Sequence, residues 1–197
     1  MPRKLARGIL NWLLLLSGLM PALAAADESV WQRLAAGGQV VLLRHATTVP
    51  GFGDPPGFRL GDCATQRNLS TAGREEARRL GAELRARRIS VGEVRSSRWC
   101  RCLETAELAF GRAADPWPLL DSLHEHPERR ETQTEELRRA LAEAPARGNR
   151  FLVTHQANVI ALIGTGLAPG EMIVLTPRGD GRLEAVGRIS PAVLPIP

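Results

Sequence analysis

Two arginines and two histidines stand where a chain can deliver side chains to a single point. Arg44 and His45 follow the apolar run Val40–Leu43, Arg101 comes shortly after Ser96 and Ser97 in SSRWCR, and His155 follows the apolar stretch leading to Thr154. Short apolar runs of this kind read as buried strands, and whatever follows them emerges at the rim of a sheet. Guanidinium groups offer forked donors, and an imidazole can donate, accept or attack. Two of each form a cradle for a tetrahedral oxyanion, with phosphate the obvious occupant. Taken singly, each residue reads as the polar exit of a strand. Three coincident strand exits favour one shared pocket.

The elements that must carry these residues alternate along the chain. Residues 39–44 read as a strand. Residues 69–88 read as an amphipathic helix with Ala77, Leu80 and Leu84 on one face and Ser70 as its N-cap. A short strand over 89–97 leads into a helix over 101–110 in which Cys102, Ala106 and Ala109 recur at helical spacing. A third helix follows over 132–144, then a strand over 150–155, a helix over 156–166, and closing strands in EMIVLTP and RLEAVGRI. This alternation predicts an α/β fold, a three-layer αβα sandwich with a mostly parallel central sheet. In such sheets ligands bind beyond the carboxyl ends of the strands, where the four residues would meet.

The first residues run from basic Arg3, Lys4 and Arg7 through an apolar stretch to small residues. That order predicts a signal peptide over residues 1–26, cut after Ala24 or Ala26, and one mature domain over residues 27–197 that is periplasmic or secreted. The apolar stretch is short for a span, so the mature protein is not expected to cross a membrane. The formal charge of +5 includes those three basic residues and falls to +2 without them, which argues against a nucleic-acid partner. Lys4 is the only lysine, so an arginine is informative only by its position. Residues 49–62, rich in Gly and Pro, read as a loop, and SPAVLPIP reads as a terminal arm. Of Cys63, Cys100 and Cys102, the last two are too close to pair comfortably within a helix. Cys63 is therefore expected to bridge to one of them, leaving one thiol free.

These motifs resemble the histidine phosphatase superfamily, the phosphoglycerate-mutase-like phosphohydrolases. The family's Arg-His-Gly appears as Arg44-His45-Ala46, its Leu-Ser/Thr-x-x-Gly helix start as Leu69-Ser70-Thr71-Ala72-Gly73, and its Ser-Ser-Pro-x-x-Arg segment as SSRWCR. FLVTHQANVIAL is similar to the strand carrying the second histidine. Arg98 stands where proline is common. Thr48 takes the place of an arginine in the acid phosphatase and phytase branch, and Gln156 replaces that branch's aspartate after the histidine. The resemblance therefore points to compact exported members rather than phytase-like ones.

The resemblance implies that His45 attacks phosphorus to give a phosphohistidine, with Arg44, Arg101 and His155 binding the phosphoryl oxygens. No metal or other cofactor is implied. It also implies a proton donor, and Glu125, two residues beyond Leu123, takes the mutase-like position; Asp62, Glu131 and Glu171 are alternatives. His124-x-His126 and Cys100-x-Cys102 do not match structural zinc spacings, and Trp99 and Trp117 read as packing residues. The expected activity is an exported, metal-independent phosphomonoesterase acting on a small phosphorylated substrate, a cell-envelope phosphosugar among the candidates. A non-catalytic phospho-ligand-binding protein and a phosphomutase are the alternatives.

Overall fold

The computed structural model describes residues 20–191 and 194. Most of the expected leader, residues 1–19, lies outside them. A helix α1 (Met20–Ala36) opens the described chain and buries Val30, Trp31 and Leu34, a segment the sequence reading passed over. It is followed by β1 (Val40–Arg44), α2 (Thr71–Ala86), β2 (Val91–Ser96), α3 (Cys100–Phe110) and a two-residue β3 (Asp115–Pro116). Then come α4 (Arg130–Ala140), β4 (Asn149–Thr154), α5 (Gln156–Ile163), β5 (Met172–Pro177) and β6 (Leu183–Ile189). Among the described residues three single 3₁₀ turns punctuate the loops. Among the described residues no helix is long and apolar enough to cross a membrane.

The strands form one sheet in the order β3-β2-β4-β1-β5-β6. The first four run parallel, β5 runs antiparallel to β1, and β6 runs antiparallel to β5. The continuous apolar run of β1 follows from burial on both faces. Val41 and Leu43 join the core under α1, α2 and α3, while Val40 and Leu42 join the core under α4 and α5. Leu194 also packs into the first of these cores. The third helix lies two residues earlier at its start and four earlier at its end than residues 132–144 suggested.

Two contacts explain the helix-start motif. Ser70 Oγ accepts the Gly73 N–H at 3.0 Å and caps α2. A Cβ on Gly73 would stand 1.9 Å from the Thr47 carbonyl oxygen, so only glycine lets α2 press against the loop leaving β1. Three residues further along α2, Glu76 accepts from both the backbone N–H and the hydroxyl of Thr47 at 3.0 Å. Helix α2 thus fixes the chain immediately after His45.

Candidate active site

Parallel strands β1, β2 and β4 end on the same edge of the sheet, and their exits supply the four expected residues. Arg44 closes β1 and His45 follows it, Arg101 sits in the first turn of α3, and His155 joins β4 to α5. Together they line a cavity of about 360 Å³, along with Arg67, His124, Arg130 and the first turn of α5. The rings of His45 and His155 lie 5.5 Å apart, edge to face.

His45 is 5 % exposed, and its Nδ1 lies 2.9 Å from the Ala46 carbonyl oxygen. A carbonyl only accepts, so this contact assigns the proton to Nδ1 and leaves the Nε2 lone pair free. Burial pushes the imidazole pKa down to about 3; the Ala46 contact opposes that shift, and Arg101, Arg44 and Arg67 add to it. The ring is therefore neutral over the physiological range. Its Ala46 anchor is itself held, since Ala46 N–H donates to Thr105 Oγ1 at 3.1 Å and that hydroxyl donates to the Arg101 carbonyl at 2.6 Å.

Each arginine keeps an uncommitted donor. Arg44 Nη1 donates to the Leu167 carbonyl at 2.7 Å, and its Nε is buried without a partner. Gln156 holds that carbonyl's segment by accepting the Leu167 N–H at 2.9 Å, so the residue that departs from the phytase-like aspartate has a positioning contact here. Arg101 directs Nη1 to Asp54, at 2.8 and 3.0 Å to the two carboxylate oxygens, and its Nε is also buried and unpartnered. Unpartnered buried N–H groups beside a cavity are what an anion would satisfy.

His155 is engaged by protein groups. Arg101 Nη2 donates toward Nδ1 at 3.4 Å, which puts the proton on Nε2, from where it reaches Ser97 Oγ at 2.7 Å. Ser97 Oγ in turn donates toward Asp121 at 3.5 Å. Burial, the neighbouring His45 and three arginines hold the His155 pKa well below the usual imidazole value.

The acid is placed less directly. Glu125 does not line the cavity, but its Oε1 is buried without a partner and lies 3.7 Å from where a Cβ on Gly53, a lining residue, would stand. Of the alternatives, Asp62 pairs with exposed Arg59 at 2.5 Å, Glu131 is exposed at the start of α4, and Glu171 accepts the Ala168 N–H at 2.6 Å. None of the three lines the cavity.

The cysteine choice resolves as Cys63–Cys100, leaving Cys102 free and buried. The bridge withdraws Cys100 from metal ligation. Burial pushes the Cys102 thiol up to about 12 although its Sγ lies 3.5 Å from His155 Nε2, so it is no thiolate nucleophile.

Sequence reasoning missed Asp54, Arg67 and Asp121. Arg67 donates to the Gly53 carbonyl at 2.8 Å and to the Thr48 hydroxyl, bringing a guanidinium beside the position where Thr48 departs from the phytase-like arginine. Asp121 accepts the Arg98 N–H at 3.0 Å and its guanidinium at 2.8 and 2.5 Å, which gives the arginine in the usual proline position a structural role. Trp99 is fully buried as expected of a packing residue, yet it also donates its indole N–H to Asp54 at 2.9 Å and stands edge-on to His155.

Comparison with solved structures returns the same fold at low identity. The protein histidine phosphatase SixA complexed with tungstate matches at TM-score 0.58 and 17 % identity, covering 78 % of this chain and 97 % of that one. A phosphoserine phosphatase mutant from Entamoeba histolytica, in complex with phosphoserine, matches at 0.57 and 12 %, covering 78 % and 97 %. The alpha-ribazole phosphatase from Shigella flexneri matches at 0.51 and 17 %, covering 70 % and 89 %. No curated protein matches the sequence. The family model for the histidine phosphatase superfamily, branch 1, matches residues 40–165. With that match spanning more than half the chain and the mixed α/β sheet placing both histidines and both arginines at one edge, the protein belongs to the histidine phosphatase superfamily.

Proposed function

We propose that the protein is an exported, metal-independent phosphomonoesterase that works through a phosphohistidine on His45. The observation that carries this reading is the His45 ring, neutral and with its proton tied to Ala46, beside two arginines whose Nε donors are unpartnered. Nε2 would form the N–P bond as the bond from phosphorus to the leaving oxygen breaks in line. Arg44 and Arg101 would carry the charge on the transferring group. His155, kept neutral chiefly by burial and further by His45 and the three arginines, would hold Arg101 Nη2 beside the transferring group. Glu125 would give the proton to the leaving alkoxide, and water would then cleave the N–P bond to release inorganic phosphate.

Export is supported by the leader pattern and by the Cys63–Cys100 bridge, which persists in oxidising compartments. The substrate class is a small phosphomonoester, with cell-envelope phosphosugars as the first to try. The position of Glu125 outside the cavity lining favours, as a second reading, a protein that binds phospho-ligands without turning them over. Phosphate release from p-nitrophenyl phosphate in EDTA separates the two. Release by the wild type that disappears in His45→Ala supports the phosphatase. Binding without release supports the second reading, and loss of activity in EDTA contradicts metal independence.

A further inference from the structure

We infer that Asp54 is a positioning residue that holds Arg101 in its phosphate-binding orientation, acting through Arg101 rather than on the substrate. The inference rests on the reading of the cavity as a phosphoryl site. The Asp54 side chain is fully buried, and the Arg101 side chain is 4 % exposed. Three donors surround the carboxylate. Arg101 Nη1 reaches both oxygens, the Arg67 backbone N–H reaches Oδ1 at 2.8 Å, and the Trp99 indole reaches Oδ2 at 2.9 Å. With both oxygens committed, Asp54 cannot turn toward the cavity or lend a proton. Burial works against its charged form, but the Arg67 N–H, the Arg101 charge and hydrogen bond and the Trp99 N–H outweigh it and hold the carboxyl below its ordinary range.

The contact selects which part of the guanidinium is used. Asp54 occupies Nη1 alone, so Nε and Nη2 are left on the side of the histidines, Nη2 reaching His155 and Nε having no partner. Asp54 also supplies a negative charge among Arg44, Arg67 and Arg101, whose mutual repulsion would otherwise favour Arg101 swinging away whenever no anion is bound. Preorganised donors of this kind stabilise a developing charge without reorganising during the reaction. The loop carrying Asp54 is tied to the start of α3 by the Cys63–Cys100 bridge and by the Cys100 N–H donating to Gln66 Oε1 at 3.0 Å, so the carboxylate and its arginine share one anchored unit.

The test is a double-mutant cycle of Asp54→Asn and Arg101→Gln in the full chain. It is read as affinity for inorganic phosphate by calorimetry and as kcat/KM on p-nitrophenyl phosphate. Asp54→Asn keeps the size and an acceptor for the Arg67 N–H while removing the charge. Alone it is expected to weaken both readouts roughly 10- to 100-fold, and in the Arg101→Gln background less than about threefold. A loss of equal size in both backgrounds, or no loss in either, overturns the inference. If the asparagine variant does not fold, the cycle runs on Asp54→Glu, which keeps the charge but shifts the carboxylate. The same loss confined to the Arg101 background is then expected. Wild-type protein that binds phosphate with this coupling but never hydrolyses an ester leaves the inference standing and sinks the phosphatase reading. Failure to bind phosphate sinks both.

Discussion

Replacing His45 by asparagine should flatten the acid side of the stability profile. The folded His45 pKa is depressed to about 3, first by burial, against about 6.5 in an unfolded chain. Below pH 6.5 the unfolded state therefore binds a proton that the folded state refuses, and stability falls as pH falls through this window. At about 1.4 kcal/mol per unit, lowering the pH from about 6.5 to about 5 removes roughly 2 kcal/mol through His45 alone. Asparagine has no proton to gain, and its amide can still donate to the Ala46 carbonyl. His155 shifts in the same direction, chiefly through burial that the replacement leaves in place and only secondly through His45, and the carboxylates are common to both proteins, so His45 dominates the difference between the two profiles. Urea denaturation of wild type and His45→Asn at the two pH values reads that difference directly. The wild type should lose about 2 kcal/mol more than the variant. Parallel profiles would refute both the burial argument and the neutral nucleophile that depends on it.

Glu125→Gln should lower kcat/KM on an alkyl phosphate by roughly 10²- to 10⁴-fold and on p-nitrophenyl phosphate far less, because nitrophenolate leaves without a proton. Equal losses on the two substrates would remove Glu125 as the acid. Reducing Cys63–Cys100 with a dithiol, which opens a covalent loop with a sequence separation of 37, should cost about 4 kcal/mol of stability in the chain-entropy picture, measured by denaturation with and without reductant. Gly73→Ala places its Cβ against the Thr47 carbonyl. It should destabilise the fold by about 2 kcal/mol and depress activity as the loop after His45 shifts.

What was legible in the sequence were residues whose position follows from a local pattern. The run Val40–Leu43 marks a doubly buried strand, and a parallel sheet collects its exits on one edge, so Arg44, His45, Arg101 and His155 could be gathered without coordinates. Gly73 and Ser70 were readable as a helix start, although the contact of Gly73 with Thr47 was not. Asp54 and Arg67 lie in a loop with no period to read, and their places depend on a disulfide and on partners 34 and 47 residues away. The first turns of α1 overlap the small-residue end of the leader pattern, which hid the helix carrying Val30, Trp31 and Leu34. The antiparallel run of β5 and β6 was equally unmarked, because apolar strands look alike in either direction.

The most direct test of the account is to trap the phosphoenzyme. Mixing the protein with a rapidly cleaved phosphomonoester, quenching in alkali where phosphohistidine survives, and mapping the product by mass spectrometry should place one phosphoryl group on Nε2 of His45 and none in His45→Asn. Turnover with no phosphoprotein, or a phosphoryl group on any other residue, would contradict it.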